Sequence, residues 1–260
     1  MAKVITIANQ KGGVAKTTTA QALGVGLKDR GHKILVVDAD PQGNLSSSIN
    51  AEVYNCKTIY DVMTKKTPVK KVIQELDAFD IVPANIIFAG IEHKLMVEPG
   101  REFRLDETVI APITGEYEYI IIDTPPTLGI LTMNAVMAAD EIIIPTTASI
   151  FAAAGIEQLK IFADSIVPYR KRGELKYNGI LITKYNPRTT VSKELKKFTE
   201  ELSKIIGTKV YDVYIRFSVA VEEAQVQKVD IFSYDKNNIV EDYNLFVDEF
   251  LKGERDNGKK

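Results

Sequence analysis

Two lysines, two adjacent glycines and three acids stand in this chain at spacings that could bind and cleave a phosphoanhydride. Residues 9–19 read Asn-Gln-Lys-Gly-Gly-Val-Ala-Lys-Thr-Thr-Thr, directly after the apolar run Val4-Ile5-Thr6-Ile7-Ala8. A β-branched run that feeds a Gly-containing turn and then a helix exposes successive backbone N–H groups and adds the positive end of a helix dipole. That is a phosphate cradle, here made of Gly12, Gly13, Val14, Ala15, Lys16, Thr17 and Thr18. Lys16 would reach the β- and γ-phosphates as a point charge, and the Thr17 hydroxyl would sit on Mg²⁺. The acids close two further apolar runs, Ile34-Leu35-Val36-Val37-Asp38-Ala39-Asp40 and Tyr119-Ile120-Ile121-Ile122-Asp123. Continuous apolar runs are buried parallel strands, and acids at their C-terminal ends emerge where ligands bind. Asp123 would hold Mg²⁺ through water, with Asp38 supporting the same shell. Phosphoryl transfer to water needs clamped phosphates, neutralised charge and an aligned water, and these residue types supply all three.

The elements that must position these residues follow from the rest of the pattern. A helix is expected over Thr17–Asp29 and another over Ile130–Ala138. The strand Glu141–Ile144 is followed by a long helix from about Ala152 to Tyr169. Next come the strand Gly179–Ile182 and a helix over Val191–Ile206, in which Leu195, Phe198, Leu202 and Ile205 recur as an apolar stripe. The strand Lys209–Ile215, a short helix near Val219–Gln227 and a last helix over Asn238–Leu251 complete the reading. Ile239, Tyr243, Phe246 and Phe250 would line one side of that last helix. Strands alternating with helices predict an α/β fold, a mostly parallel twisted sheet with helices on both faces. No Pro/Gly/Ser-rich linker divides the chain, so one domain is expected over 1–252, with a frayed tail over 253–260.

The composition agrees with a globular protein: 260 residues, 45% hydrophobic and 26% charged. The longest apolar stretches are strand-length, and the first residues enter a strand at once, so neither a membrane span nor a leader is expected. One cysteine, Cys56, excludes a disulfide framework and suits the cytoplasm. The net charge of −2 hides an asymmetry. Residues 160–216 carry 13 Lys/Arg against 6 Asp/Glu, while both flanks are acidic, with 14 against 19 and 6 against 10. A basic block in an acidic protein is a candidate contact with a polyanion.

The usual Walker A spacing would need Gly at positions 10 and 15, where this chain has Gln10 and Ala15, and it carries Lys11 instead as a second lysine. In this it resembles the deviant Walker A loop of the ParA/MinD superfamily. Asp38-Ala39-Asp40-Pro41-Gln42-Gly43-Asn44 is similar to the Asp-x-Asp-Pro-Gln-Gly-Asn element of the ParA/Soj partitioning ATPases, and Asp123-Thr124-Pro125-Pro126 to their Walker B and switch. The ordered set runs from residue 3 to about 250. The resemblance implies a P-loop ATPase using ATP and Mg²⁺, with Asp40 positioning the attacking water. It implies that Lys11 crosses a two-fold interface to the partner subunit's phosphates, so that two ATP molecules are sandwiched in a homodimer. Ala15 departs from the more usual Gly; it is unstrained if its φ is negative and strained by roughly 1 kcal/mol if positive. The Asn-Lys-x-Asp guanine reader is missing, and Ile182–Pro187 resembles the family's adenine-side segment, which makes Asn186 the candidate at the base. Nitrogenase iron proteins and iron–sulfur carriers share the deviant loop but need paired cysteines, which are lacking here.

The function so implied is partitioning of a chromosome, plasmid or mobile element, in the cytoplasm and on the nucleoid. The ATP dimer would bind DNA non-specifically and be released when a ParB-like partner stimulates hydrolysis. Arg188 matches the arginine that Soj-type proteins place on DNA, with Lys184, Lys193, Lys196 and Lys197 as neighbouring charge and Arg216 as the remnant of a second basic site. The alternative is a MinD-like membrane-cycling ATPase. It needs a C-terminal amphipathic helix with a basic polar face, whereas the polar face here carries Glu241, Asp242, Asp248 and Glu249.

Overall fold

The apolar runs become the strands of one eight-stranded sheet in a computed structural model that describes residues 1–234 and 238–257. The strands are β1 (Lys3–Ile7), β2 (Ile34–Asp38), β3 (Gln74–Glu75), β4 (Asp80–Val82), β5 (Tyr119–Asp123), β6 (Glu141–Thr147), β7 (Lys176–Tyr185) and β8 (Val210–Arg216). Their order is β3-β4-β2-β5-β1-β6-β7-β8, and only the β3–β4 pairing is antiparallel. The helices are α1 (Lys16–Asp29), α2 (Asn44–Ser48), α3 (Ile59–Met63), α4 (Ile91–Leu95), α5 (Ile130–Ala138), α6 (Ile150–Ile166), α7 (Thr190–Ile206), α8 (Ala220–Gln227), α9 (Ile231–Tyr234) and α10 (Asn238–Asn257).

Successive strand side chains point to opposite faces, so each inner strand needs apolar residues at every position. Ile5, Ile7, Val36 and Ile121 meet Leu23 and Leu27 of α1 and Tyr243, Phe246 and Phe250 of α10. On the other face Val4, Leu35, Val37, Ile120 and Ile122 share a core with Leu131 and Ala135 of α5. Further along that face Ile142 and Ile144 meet Ile156 and Leu159 of α6 and Leu202 and Ile206 of α7. The expected α/β architecture, helices on both faces of a mostly parallel sheet, is what the chain forms.

The register does the positioning. β5 lies between β1 and β2, with Ile7 opposite Asp123 and Asp38 opposite Asp123. The loop after Ile7 and the two strand-end acids therefore leave the sheet at one level.

Two expectations change. α10 runs to Asn257 rather than ending at 251, because Glu254 turns back to Lys3, whose ammonium also binds Glu141 at 3.0 Å. Residues 253–257 are thus part of the domain, and 258–260 lie outside the described residues. The stripe of α7 is rotated: Leu202 and Ile206 are buried, but Phe198 and Ile205 are 48% and 81% exposed. Thr199 and Ser203 go inward instead, each hydroxyl donating to a carbonyl of its own helix, Leu195 and Glu200. α10 also lies along the outer strand β8, and its carboxylates take backbone N–H groups of that strand. Glu249 accepts from Asp212 and Val213, and Asp242 from Arg216.

Candidate functional site

The loop between β1 and α1 is held from three neighbouring strands. The Asn9 amide donates to the carbonyl of Pro145 in β6 at 2.8 Å, and its oxygen accepts the N–H of Lys11. The Thr124 hydroxyl, just after β5, donates to the Ile7 carbonyl, and the Thr183 hydroxyl of β7 donates to that of Val14. Gly13 and Ala15 both have left-handed backbones, with φ of 73° and 62°. The positive φ at Ala15 is the strained alternative, costing roughly 1 kcal/mol in a residue with a Cβ. α1 starts at Lys16, so its unpaired N–H groups face the space above the loop.

That space is a cavity of about 520 Å³. Gly12, Gly13, Ala15, Lys16, Thr17 and Thr18 line one end together with Asp40, Asn44 and Pro126. Lys184, Ile215, Phe217, Val221, Gln225 and Tyr243 line the other. Lys16 is buried, and burial lowers its pKa while Asp123 and Asp40 offset part of that effect. Asp123 is fully buried and neither carboxylate oxygen has a partner of hydrogen-bonding geometry. Burial, and after it the charge of Asp38, hold its carboxyl well above the ordinary range; the Thr17 hydroxyl and Lys16 counteract only in part. An unsatisfied buried carboxylate beside a threonine hydroxyl fits a hard divalent cation that takes its remaining ligands from water and phosphate. Among the described residues no cluster of three His, Cys, Asp or Glu could hold a metal unaided.

Asp38 is hydrogen-bonded on both oxygens. One of its oxygens accepts the Asp40 N–H at 3.2 Å, the other the N–H and hydroxyl of Ser46 at 2.9 and 2.7 Å. Burial still pushes its pKa up to about 6, against those hydrogen bonds. Its oxygens are engaged with the loop of Asp40, whereas those of Asp123 have no hydrogen-bond partner. Asp40 accepts the Gln42 N–H on its own side chain, a local turn that points the acid over the cavity.

Lys11 does not cover its own loop. Its ammonium donates to the Ser149 hydroxyl, the residue before α6, at 2.7 Å. Gly155 of α6 leaves room for the Asn9 side chain, since a Cβ there would come 2.8 Å from its oxygen.

The expected base and DNA residues are brought together less completely. Asn186 is exposed and does not line the cavity; its side chain accepts the Arg188 N–H and closes a turn. The cavity reaches instead toward 215–225. Arg188, Lys193 and Lys197 are exposed along the turn and the start of α7, and Lys196 lies 5.8 Å from the Tyr214 ring. Lys184 has a left-handed backbone and lines the cavity. Arg216 is engaged within the fold: its guanidinium binds Asp242 through two nitrogens at 2.8 and 2.7 Å and the Asn238 carbonyl at 2.8 Å. Two carboxylates, Asp242 and Glu241, surround it and fasten α10 to β8, while Arg216 also lines the cavity.

The residues that sequence reasoning missed are the hydroxyls and amide that hold the site: Asn9, Ser46, Ser149 and Thr183. The one signal available was polar residues at the ends of apolar strands.

The family described as an AAA domain matches residues 2–176. The chromosome partitioning protein ParA of Caulobacter vibrioides (strain NA1000 / CB15N) is 37% identical, over 90% of this chain and 87% of that protein. The sporulation initiation inhibitor protein Soj of Bacillus subtilis (strain 168) is 37% identical, over 90% of this chain and 92% of its own. Among solved structures, cobyrinic acid a,c-diamide synthase of Mycobacterium smegmatis with bound ATP analog and magnesium superposes with a TM-score of 0.81. It is 29% identical, covering 98% of this chain and 96% of that one. Sequence identity across nine-tenths of the chain, on a fold that brings the deviant loop and its acids together, shows that this chain belongs to the ParA/Soj family of P-loop partitioning ATPases.

Proposed function

We propose that this chain is an ATP-driven DNA-partitioning protein that works as a nucleotide-sandwich dimer. The observation that carries the reading is the convergence of Lys16, Thr17 and Asp40 on one cavity, with the unsatisfied Asp123 buried beside Lys16 and Thr17, while Lys11 is held outside it. Identity is higher to the named partition proteins, 37%, than to the synthase structure, 29%.

ATP would lie with its phosphates on the N–H groups of Gly12–Thr18 and on Lys16. Thr17, and Asp123 through water, would hold Mg²⁺, which would supply charge neutralisation to the phosphates. Asp40 orients the attacking water at the cavity mouth. Lys11, leaving Ser149, supplies its charge to the partner subunit's phosphates, so dimerisation requires ATP. Without that anion two positive loop mouths face each other. Release follows hydrolysis, hastened by a ParB-like partner, and Arg188, Lys193 and Lys197 provide the sequence-independent DNA contact.

Light scattering after size exclusion tests this. Asp40→Ala with Mg-ATP should run as a dimer and release no phosphate, and Lys16→Ala should fail to retain nucleotide. A monomeric Asp40→Ala protein that has bound ATP would overturn the sandwich.

A further inference from the structure

We propose that Ser46 is a positioning residue for hydrolysis: it closes the Asp40 loop onto Asp38 and fixes the closed loop to the end of β4. This rests on the proposed role of Asp40 and deepens it.

The loop leaves β2 at Asp38 and ends in α2. Asp38 grips it at both ends, through the Asp40 N–H at the start and Ser46 at the finish. A loop fastened only to itself could still move as a unit. Ser46 prevents that, because its hydroxyl donates to Asp38 at 2.7 Å and accepts the N–H of Ala84 at 3.0 Å. Ala84 lies just past β4, which pairs with β2. The hydroxyl thus joins the loop to a neighbouring strand of the sheet with its donor and an acceptor site in use. Gly43 makes the closure sterically possible: its φ is +62°, and a Cβ would come 2.7 Å from the Ala84 carbonyl oxygen. Within this clasp Asp40 is further set by its own turn, with Gly43 N–H on its carbonyl and Gln42 N–H on its side chain. Asp38 and Ser46 are fully buried, so the hydrogen bonds among them face no competing water. A water-orienting acid displaced by an ångström loses about a hundredfold in rate, and the clasp is what holds Asp40 against such a displacement.

The tests are Ser46→Ala and Ser46→Thr, each with three measurements: Mg-ATP binding, kcat for phosphate release, and amide hydrogen exchange. Ser46→Ala removes the donor to Asp38 and the acceptor for Ala84 without touching the phosphate loop. Its ATP affinity should stay within about threefold of wild type, kcat should fall about tenfold or more, and exchange should quicken over 40–47 but not over α1. Ser46→Thr keeps the hydroxyl and should recover most of kcat. Unchanged kcat in Ser46→Ala, or exchange at 40–47 that matches wild type, would overturn the proposal. Loss of ATP binding in parallel with kcat would overturn it too, since a positioning role spares binding. A wild-type protein that hydrolyses no ATP, with or without partner, would remove the role given to Asp40, and the exchange data would show that the clasp itself was not at fault.

Discussion

Ala15 holds a backbone conformation that its Cβ resists, at the residue directly before the lysine that meets the phosphates. The loop imposes that φ because Val14 is tied to Thr183 and α1 begins at once behind it. Ala15→Gly should therefore stabilise the fold by about 1 kcal/mol, less the entropy that glycine adds to the unfolded chain. That entropy takes back about 0.4–1 kcal/mol, so in a chain of this size Tm should rise by at most about 2 °C, to be read by calorimetry. A lower Tm would mean that the strain is relieved elsewhere. Lys11 makes the opposite case, a side chain whose absence should leave its own subunit's site intact. Lys11→Ala should bind ATP with near wild-type affinity by titration calorimetry and fail to dimerise. Affinity as poor as that of Lys16→Ala would place Lys11 in its own subunit's cradle instead.

At the scale of elements, α10 is an integral wall of the core and is held at both ends. Arg216 and Asp242 fasten its start to β8, and Glu254 and Lys3 fasten its last turns to β1. Truncation after Lys252 removes the second fastening and should lower stability by about 1–2 kcal/mol in urea melts. A midpoint equal to wild type would show the last turns to be idle. The sequence made the long elements plain because apolar residues recur at periods that last for several turns, as in Ile239, Tyr243, Phe246 and Phe250. Between 44 and 113 the elements are helices and strands of two to five residues, too short for any period to register. The rotation of α7 was hidden for another reason: Thr199 and Ser203 satisfy their hydroxyls within the helix and so enter the core as small apolar groups do. Lys16, Asp40 and Asp123 were legible because each stands within a motif next to its strand. Ser149, 138 residues from Lys11, could be joined to it only by the folded sheet.

At the scale of the whole molecule, three exposed cations lie together around the start of α7. Arg188, Lys193 and Lys197 are exposed on the turn and first turns of α7, whereas Arg216 is neutralised by Asp242 and Glu241. The ATP-bound dimer should bind duplex DNA of any sequence, with log affinity falling by roughly 0.9 per phosphate contact for each unit of log salt. Arg188→Ala should flatten that slope by about one contact per subunit and weaken all sequences alike. Arg216→Ala should lower stability and leave the slope as it was. Equal slopes for Arg188→Ala and wild type would remove Arg188 from the interface. No described helix is long and apolar enough to cross a membrane. The outer face of α10 carries Glu241 and Asp248, so anionic vesicles should not sediment the protein. Co-sedimentation in place of DNA binding would favour the membrane-cycling alternative.

The carboxylates that α10 lends to β8 have a bearing on how copies of this protein can meet. A sheet ending in a bare strand is a template for another chain, and crowding makes such templating more frequent. Here Glu249 and Asp242 already occupy the N–H groups of Asp212, Val213 and Arg216, and the opposite border is a strand of only two residues. Many copies gathered on one polymer would then lie side by side without fusing their sheets into a continuous ribbon. Under the proposed function, assembly would be left to surfaces that nucleotide controls, and disassembly would be as easy as the loss of a phosphate.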